Sequence, residues 1–164
     1  MRILGIDPGY GITGFGVIDT QRGASRLVSC GAITTPAGMD FSARLEIIYN
    51  DMRALLEKAK PDAVAIEELF FGQNVTTGIG VAQSRGVILL AIRQAGLEVH
   101  SYKPMQVMQA VVGYGNATKH QVQDMTKRLL GLQQMPKPDD AADAIAIALC
   151  HARSSSSLLS QLRN

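Results

Sequence analysis

The chain has 164 residues, of which 46% are apolar and 18% charged, and its formal net charge is +2. This is the ordinary composition of a soluble globular protein, most simply one domain, large enough to bury about 70% of its unfolded surface. No run approaches the ~20 unbroken apolar residues of a membrane span, and two cysteines, Cys30 and Cys150, exclude a disulfide framework and read as buried free thiols in a reducing compartment.

Arg2 to Asp7 reads as a buried strand that begins directly after Met1, with no signal peptide ahead of it, and Pro8-Gly9 breaks it. Gly14 to Ile18 and Ser25 to Ile33 follow as two more strands across the polar turn Thr20 to Gly23, which makes an antiparallel meander. After a loop from Thr34 to Asp40, Phe41 to Lys60 places Leu45, Ile48, Met52, Leu55 and Leu56 on one face of a helix, which Pro61 ends. Ala63 to Glu67 is a fourth strand, reached through a helix and so expected to run parallel to a neighbour. Asn74 to Gln94 reads as a long helix in which Gly78, Ala82 and Gly86 recur every four residues. Such a stripe admits a close backbone approach, either from the domain's own sheet or from a second subunit.

Leu97 to Tyr102 reads as the fifth strand, followed by helices at Pro104 to Val112 and Lys119 to Leu130, a loop to Pro138, and a last helix from Asp139 to Arg153. The serine-rich stretch after Arg153 suggests one domain over residues 1–153 and a disordered tail over 154–164. The whole is an α/β architecture, a mixed five-stranded sheet with helices packed against it.

Four acidic residues stand where side chains are held rigidly. Asp7 and Glu67 close apolar strands, and Asp140 and Asp143 sit three apart at the head of an apolar helix. A carboxylate beside buried backbone is costly unless something positive neutralises it. With no nearby lysine or arginine to match, a shared divalent cation suits them, because Mg²⁺ favours carboxylate oxygens and keeps several waters. Each acid also has a plainer role. Asp before Pro-Gly forms turns, Glu67 can end a strand in water as Glu68 does, and acids in a first helical turn complement the helix dipole. All of these roles at once fit less well than one metal site. His100, His120 and His151 are scattered, without zinc-like partners.

Between Arg85 and Pro138, seven basic residues face two acidic ones, a local excess of +5. A basic surface around a metal site suits a polyanion such as nucleic acid; the same charge also suits a solvated lysine face. Gly5-Ile6-Asp7-Pro8-Gly9 has a likeness to the first phosphate loop of sugar kinases and actin-like ATPases. The chain is too short for their two domains and has no second such loop.

Three motifs in order, Gly5-Ile6-Asp7-Pro8-Gly9, Ala65-Ile66-Glu67-Glu68-Leu69-Phe70 and Asp140-Ala141-Ala142-Asp143-Ala144, resemble those of the RuvC Holliday-junction resolvases. The resemblance continues through Gln83-Ser84-Arg85-Gly86 and Val111-Val112-Gly113-Tyr114-Gly115 and covers nearly the whole chain. It implies a ribonuclease H-like fold, a cytoplasmic homodimer, cleavage of four-way junction DNA in recombination and repair, and a branch-migration motor of the RuvA and RuvB type as partner. It also implies two Mg²⁺ ions per subunit, with Mn²⁺ as substitute, held by Asp7, Glu67, Asp140 and Asp143. By the same resemblance Lys119 lies near the scissile phosphate and Phe70 wedges against unpaired bases, with Asn74, Arg85 and Lys103 as further DNA contacts. Where many relatives carry a second lysine before Val-Val-Gly, this chain has Met108. Rival readings are a ribonuclease H-like nuclease for RNA or hybrids and a junction-binding protein without catalysis.

Overall fold

A computed structural model describes residues 1–69 and 75–161, the side chains of 156–161 excepted. Phe70 and Asn74 lie outside the described residues. The meander is built from β1 (Arg2–Asp7), β2 (Ile12–Gln21) and β3 (Ala24–Thr34). β2 and β3 are joined by Arg22 and Gly23, both at positive φ (51° and 83°), as a tight two-residue hairpin requires. Helix α1 (Phe41–Ala59) starts where the Asp40 carboxylate accepts from the Ser42 and Ala43 amides, and ends at Lys60 in the left-handed region. β4 (Ala63–Glu67) then runs parallel to β1, and β5 (Val99–Tyr102) parallel to β4. The sheet order is β3-β2-β1-β4-β5. Helix α2 (Val75–Gln94) precedes β5; α3 (Pro104–Val112), α4 (Lys119–Leu129) and α5 (Asp139–Gln161) follow it.

β2 is longer than the expected Gly14 to Ile18, running from Ile12 to Gln21, and β5 and the last helix also differ from expectation. β5 begins at Val99, not Leu97, because the Gly96 and Leu97 amides donate back to the Arg93 and Ile92 carbonyls and finish α2. The last helix runs about two turns past Arg153 to Gln161, so most of the expected tail is helical. The serines there back-bond along the helix, Ser154 Oγ to the Cys150 carbonyl at 2.9 Å and Ser155 Oγ to that of Ala152 at 3.1 Å.

Because strand side chains alternate between faces, the sheet has two unlike sides. Leu4, Ile6, Val17, Val64 and Ile66 pack against Ile48, Met52 and Leu56 of α1 and Ile88 and Ile92 of α2. On the other side Ile3, Ile18 and Ala65 meet α3 and the Ile145–Leu149 stretch of α5. Here the strands carry glycine where α5 lies closest. A Cβ on Gly5 would stand 2.0 Å from the Ala144 carbonyl oxygen, one on Gly14 2.0 Å from that of Asp140, and one on Gly16 2.5 Å from Ile145 Cγ1. The helix backbone therefore rests directly on the sheet, which sets how near its first turn comes to the end of β1.

Helix α2 is long and apolar enough to cross a membrane by length and composition, which a search for unbroken apolar runs overlooks. Ser84 and Arg85 interrupt it, and Ile88, Ala91 and Ile92 belong to the core. Val75, Ile79 and Leu90 remain 59, 53 and 51% exposed, and a Cβ on Gly86 would meet nothing within 4 Å. At Gly86 the small-residue stripe thus faces away from its own sheet.

Cys150 is buried, whereas Cys30, expected to be buried, is only half-buried. Burial pushes the Cys150 thiol up to about 11, so it stays protonated at neutral pH. The histidines are not all scattered: the His100 and His151 rings stack with centroids 4.3 Å apart, and His151 Nδ1 shares a 2.7 Å hydrogen bond with the Tyr102 hydroxyl.

Candidate active site

Asp7 and Glu67 reach the same place by parity. Asp7 follows Ile3 and Gly5 on the α5 face of β1, and Glu67 follows Ala65 on the same face of β4. The two parallel strands pair in register through Ile6 and Ile66, so both carboxyl groups stand at neighbouring strand ends. Asp7 also pairs with Gly14 of β2, and Gly14 lies against the Asp140 backbone. The strand glycine is therefore what brings the head of α5 to β1. Asp143 follows at i+3, on the same side of the helix as Asp140.

The electrostatics follow from this convergence. Burial pushes the Asp7 carboxyl up to about 8, reinforced by the negative charges of Glu67, Asp143 and Asp140 and opposed by Lys119. Glu67 is raised as well, first by burial and then by Asp143. One lysine does answer the acids, Lys119, which is remote from them in sequence and which the family resemblance places near the scissile phosphate. Lys119, at the first turn of α4, sets its Nζ 2.8 Å from Asp143 Oδ2, with the lysine side chain 56% exposed. That hydrogen bond raises the lysine's own pKa. Among the described residues no three His, Cys, Asp or Glu side chains stand close enough together to hold one ion. The four acids are thus in electrostatic contact without being closed into a coordination shell, and Lys119 engages Asp143. The chemistry of the set fits a hard divalent cation: oxygen donors only, partly desolvated, with more negative charge than one lysine balances.

A cleft of about 210 Å³ opens beside the acids, lined by Glu67, Lys119 and Asp143 together with Val107, Met108 and Ile147. Met108 therefore sits where a side chain can meet whatever enters. A larger cleft of about 400 Å³, lined by Arg53, Glu57, Lys60 and Gln94 among others, contains none of the four acids.

The remaining expected contacts divide. Lys103 is exposed just ahead of α3, its amide donating to Gln106 Oε1 at 2.8 Å. Arg85 is half-buried: Nε donates to the Glu67 carbonyl at 3.1 Å and Nη2 to Ser101 Oγ at 2.9 Å, so it serves the protein interior besides any DNA contact. Glu68, expected to point into water, is half-buried, and its amide donates to the Tyr102 carbonyl. Two buried hydroxyl groups were missed. Thr13 Oγ1 and Ser84 Oγ both donate to the Gly9 carbonyl, at 2.6 and 2.8 Å. Polar residues at such sites carry no periodic signal, though Thr13 stands at the start of β2 between Gly11 and Gly14.

A sequence model described as crossover junction endodeoxyribonuclease RuvC matches residues 3–151. The chain is 56% identical over 152 residues to the protein of that name from Chloroflexus aurantiacus, covering 93% of each. It is 54% identical over 154 residues to the one from Syntrophomonas wolfei, covering 94% of this chain and 90% of the other. Among solved structures, Thermus thermophilus RuvC in complex with a Holliday junction substrate superposes with a TM-score of 0.90 at 36% identity, covering 96% of both chains. The yeast mitochondrial Holliday junction resolvase Ydc2 shares the fold, with a TM-score of 0.68 at 14% identity, over 95% of this chain and 81% of its own.

Proposed function

The chain belongs to the RuvC family of crossover junction endodeoxyribonucleases; it is a nuclease that resolves four-way DNA junctions, and we propose that Asp7, Glu67, Asp140 and Asp143 carry its metal-dependent chemistry. The fold is ribonuclease H-like, as expected. The observation that carries the assignment is Asp7, raised to about 8 by burial and by three other acids at one end of the sheet. A carboxyl group so disfavoured as an anion is stabilised in its ionised form by a bound cation, which displaces its proton to solvent.

Asp7 and Glu67, fixed at adjacent strand ends, would hold Mg²⁺, with Mn²⁺ as substitute, and Asp140 and Asp143 would complete the set from α5, for two ions per subunit. Bound divalent ions supply Lewis acidity toward the phosphodiester and a water of lowered pKa. A water oxygen attacks the scissile phosphorus in line, and the bond from phosphorus to the 3′ oxygen breaks. The water proton ends on the departing oxygen, leaving 5′-phosphate and 3′-hydroxyl ends. Lys119, released from Asp143 as the site fills, turns its exposed ammonium to the phosphate in the cleft and balances the charge that develops there.

A junction needs two symmetric nicks and each subunit has one site, so a C2 dimer matches a pseudo-twofold substrate. The exposed Val75, Ile79, Gly86 and Leu90 of α2 support a dimer contact there. Lys103 and Lys119 would bind phosphates, with Phe70 against the unpaired bases at the junction centre and Asn74 as a further DNA contact. The protein works in the cytoplasm, alongside a branch-migration motor of the RuvA and RuvB type. The assignment is tested by cleavage of a synthetic mobile four-way junction in Mg²⁺, with linear duplex and RNA–DNA hybrid as controls. Asp7→Asn should lower junction cleavage by about a thousandfold or more while junction binding persists. Continued cutting by that variant would mean the carboxyl groups are misassigned, and equal cutting of the hybrid would favour a hybrid nuclease.

A further inference from the structure

Helix α2 hydrogen-bonds the backbone of Glu67 and of the turn that follows Asp7. Ser84 is fully buried, and its hydroxyl donates to the Gly9 carbonyl, two residues beyond Asp7, at 2.8 Å. Thr13 Oγ1 donates to the same oxygen at 2.6 Å, so both lone pairs of that carbonyl are taken. The next residue, Arg85, donates from Nε to the carbonyl of Glu67 itself at 3.1 Å, and its Nη2 is anchored on Ser101 of β5 at 2.9 Å. Consecutive helix residues point roughly 100° apart, which lets neighbours on one helix reach two different strand ends. The loop between β1 and β2 is seated on the same helix a turn earlier. A Cβ on Gly80 would stand 2.9 Å from the Tyr10 ring, and the Arg44 guanidinium lies 4.9 Å over that ring's centre.

We propose that Ser84 and Arg85 are positioning residues for cleavage: by holding the Gly9 and Glu67 carbonyls from one helix, they fix the spacing of Asp7 and Glu67 for the incoming cation. This rests on the carboxyl assignment above. Neither side chain touches substrate in this role. Arg85 acts through the backbone of an acid it does not pair with, and Ser84 through the turn that follows the other.

The test uses the full-length protein and two readouts, the rise in Tm with added Mg²⁺ in the absence of DNA, and single-turnover cleavage of a saturating four-way junction. Ser84→Ala and Arg85→Met should each raise the Mg²⁺ concentration at the midpoint of the Tm rise and slow cleavage, by about tenfold, the lower end for groups that orient metal ligands. Junction affinity should stay within about twofold of the parent, and Arg85→Lys, which keeps one donor, should recover part of both losses. Three results would overturn the proposal. One is a lower Tm in both variants with the Mg²⁺ midpoint and cleavage rate of the parent. Another is loss of junction affinity alone in Arg85→Met, which would make Arg85 a DNA contact. The third is no recovery with Arg85→Lys. Asp7→Asn in the same series separates the two levels. If it still cleaves, the carboxyl assignment fails; if it is dead while Ser84→Ala and Arg85→Met keep the parent's midpoint, only the positioning role fails.

Discussion

Two buried groups against α5, Asp7 under its head and the helix's own His151 midway along it, pose the same physical problem and show it with opposite sign. At the head of the helix, burial raises Asp7 to about 8; near Arg153, burial lowers His151 to about 4, helped by the stacked His100. In each case desolvation drives the group toward its neutral form. What differs is the surroundings. His151 is 5% exposed, stacked on one ring and hydrogen-bonded to Tyr102, so as a neutral imidazole it is satisfied. Asp7 stands among Glu67, Asp140 and Asp143 beside an open cleft, and nothing short of an added positive charge settles them together. A buried titratable group is structural where its neutral form has partners, and chemical where only its charged form has a use.

The comparison depends on α5 lying flat on the sheet, and the largest effect comes from lifting it. Gly14→Val would place a side chain on the Asp140 backbone, and should cost about 3 kcal/mol or more, seen as a large drop in Tm with loss of Mg²⁺ response. If that variant keeps the parent's Tm, the glycine contact does not hold the helix head. Smaller and of opposite sign are the two pH effects. The pKa of His151 is lower folded than unfolded, so its share of stability is present above pH 6.5 and is lost as pH falls toward 4. Asp7 is raised, so in metal-free protein its share is present below pH 3.8 and is lost as pH rises through about 8. In EDTA, His151→Phe should flatten the acid side of the Tm profile and Asp7→Asn the alkaline side. The two limbs responding to the same variant would erase the contrast.

Much of this is legible in the sequence alone. Strand alternation and helical periodicity are local signals, and β1, β4, α1 and α3 fall within a residue of their expected bounds. The four acids stood out because carboxyl groups at the ends of apolar runs are costly unless answered. What stayed hidden depends on contacts between distant segments. Gly5, Gly14 and Gly16 read as weak strand residues until α5 is seen lying on them. His100 and His151 meet only through packing, and Ser84 and Arg85 belong to a recognisable motif whose hydrogen bonds no spacing foretells. The helical serines after Arg153 were obscured by a composition that usually marks disorder.

The central claim is that Asp7 gives up a proton when a cation arrives. Calorimetric titration of the DNA-free protein with Mg²⁺ at pH 7, repeated in buffers of different ionisation enthalpy, counts that proton. The parent should release about one proton, as expected for a carboxyl group raised to about 8 that binds metal only when ionised, and Asp7→Asn should release none. Equal release by both proteins, or Mg²⁺ binding by the parent without proton release, would contradict the claim.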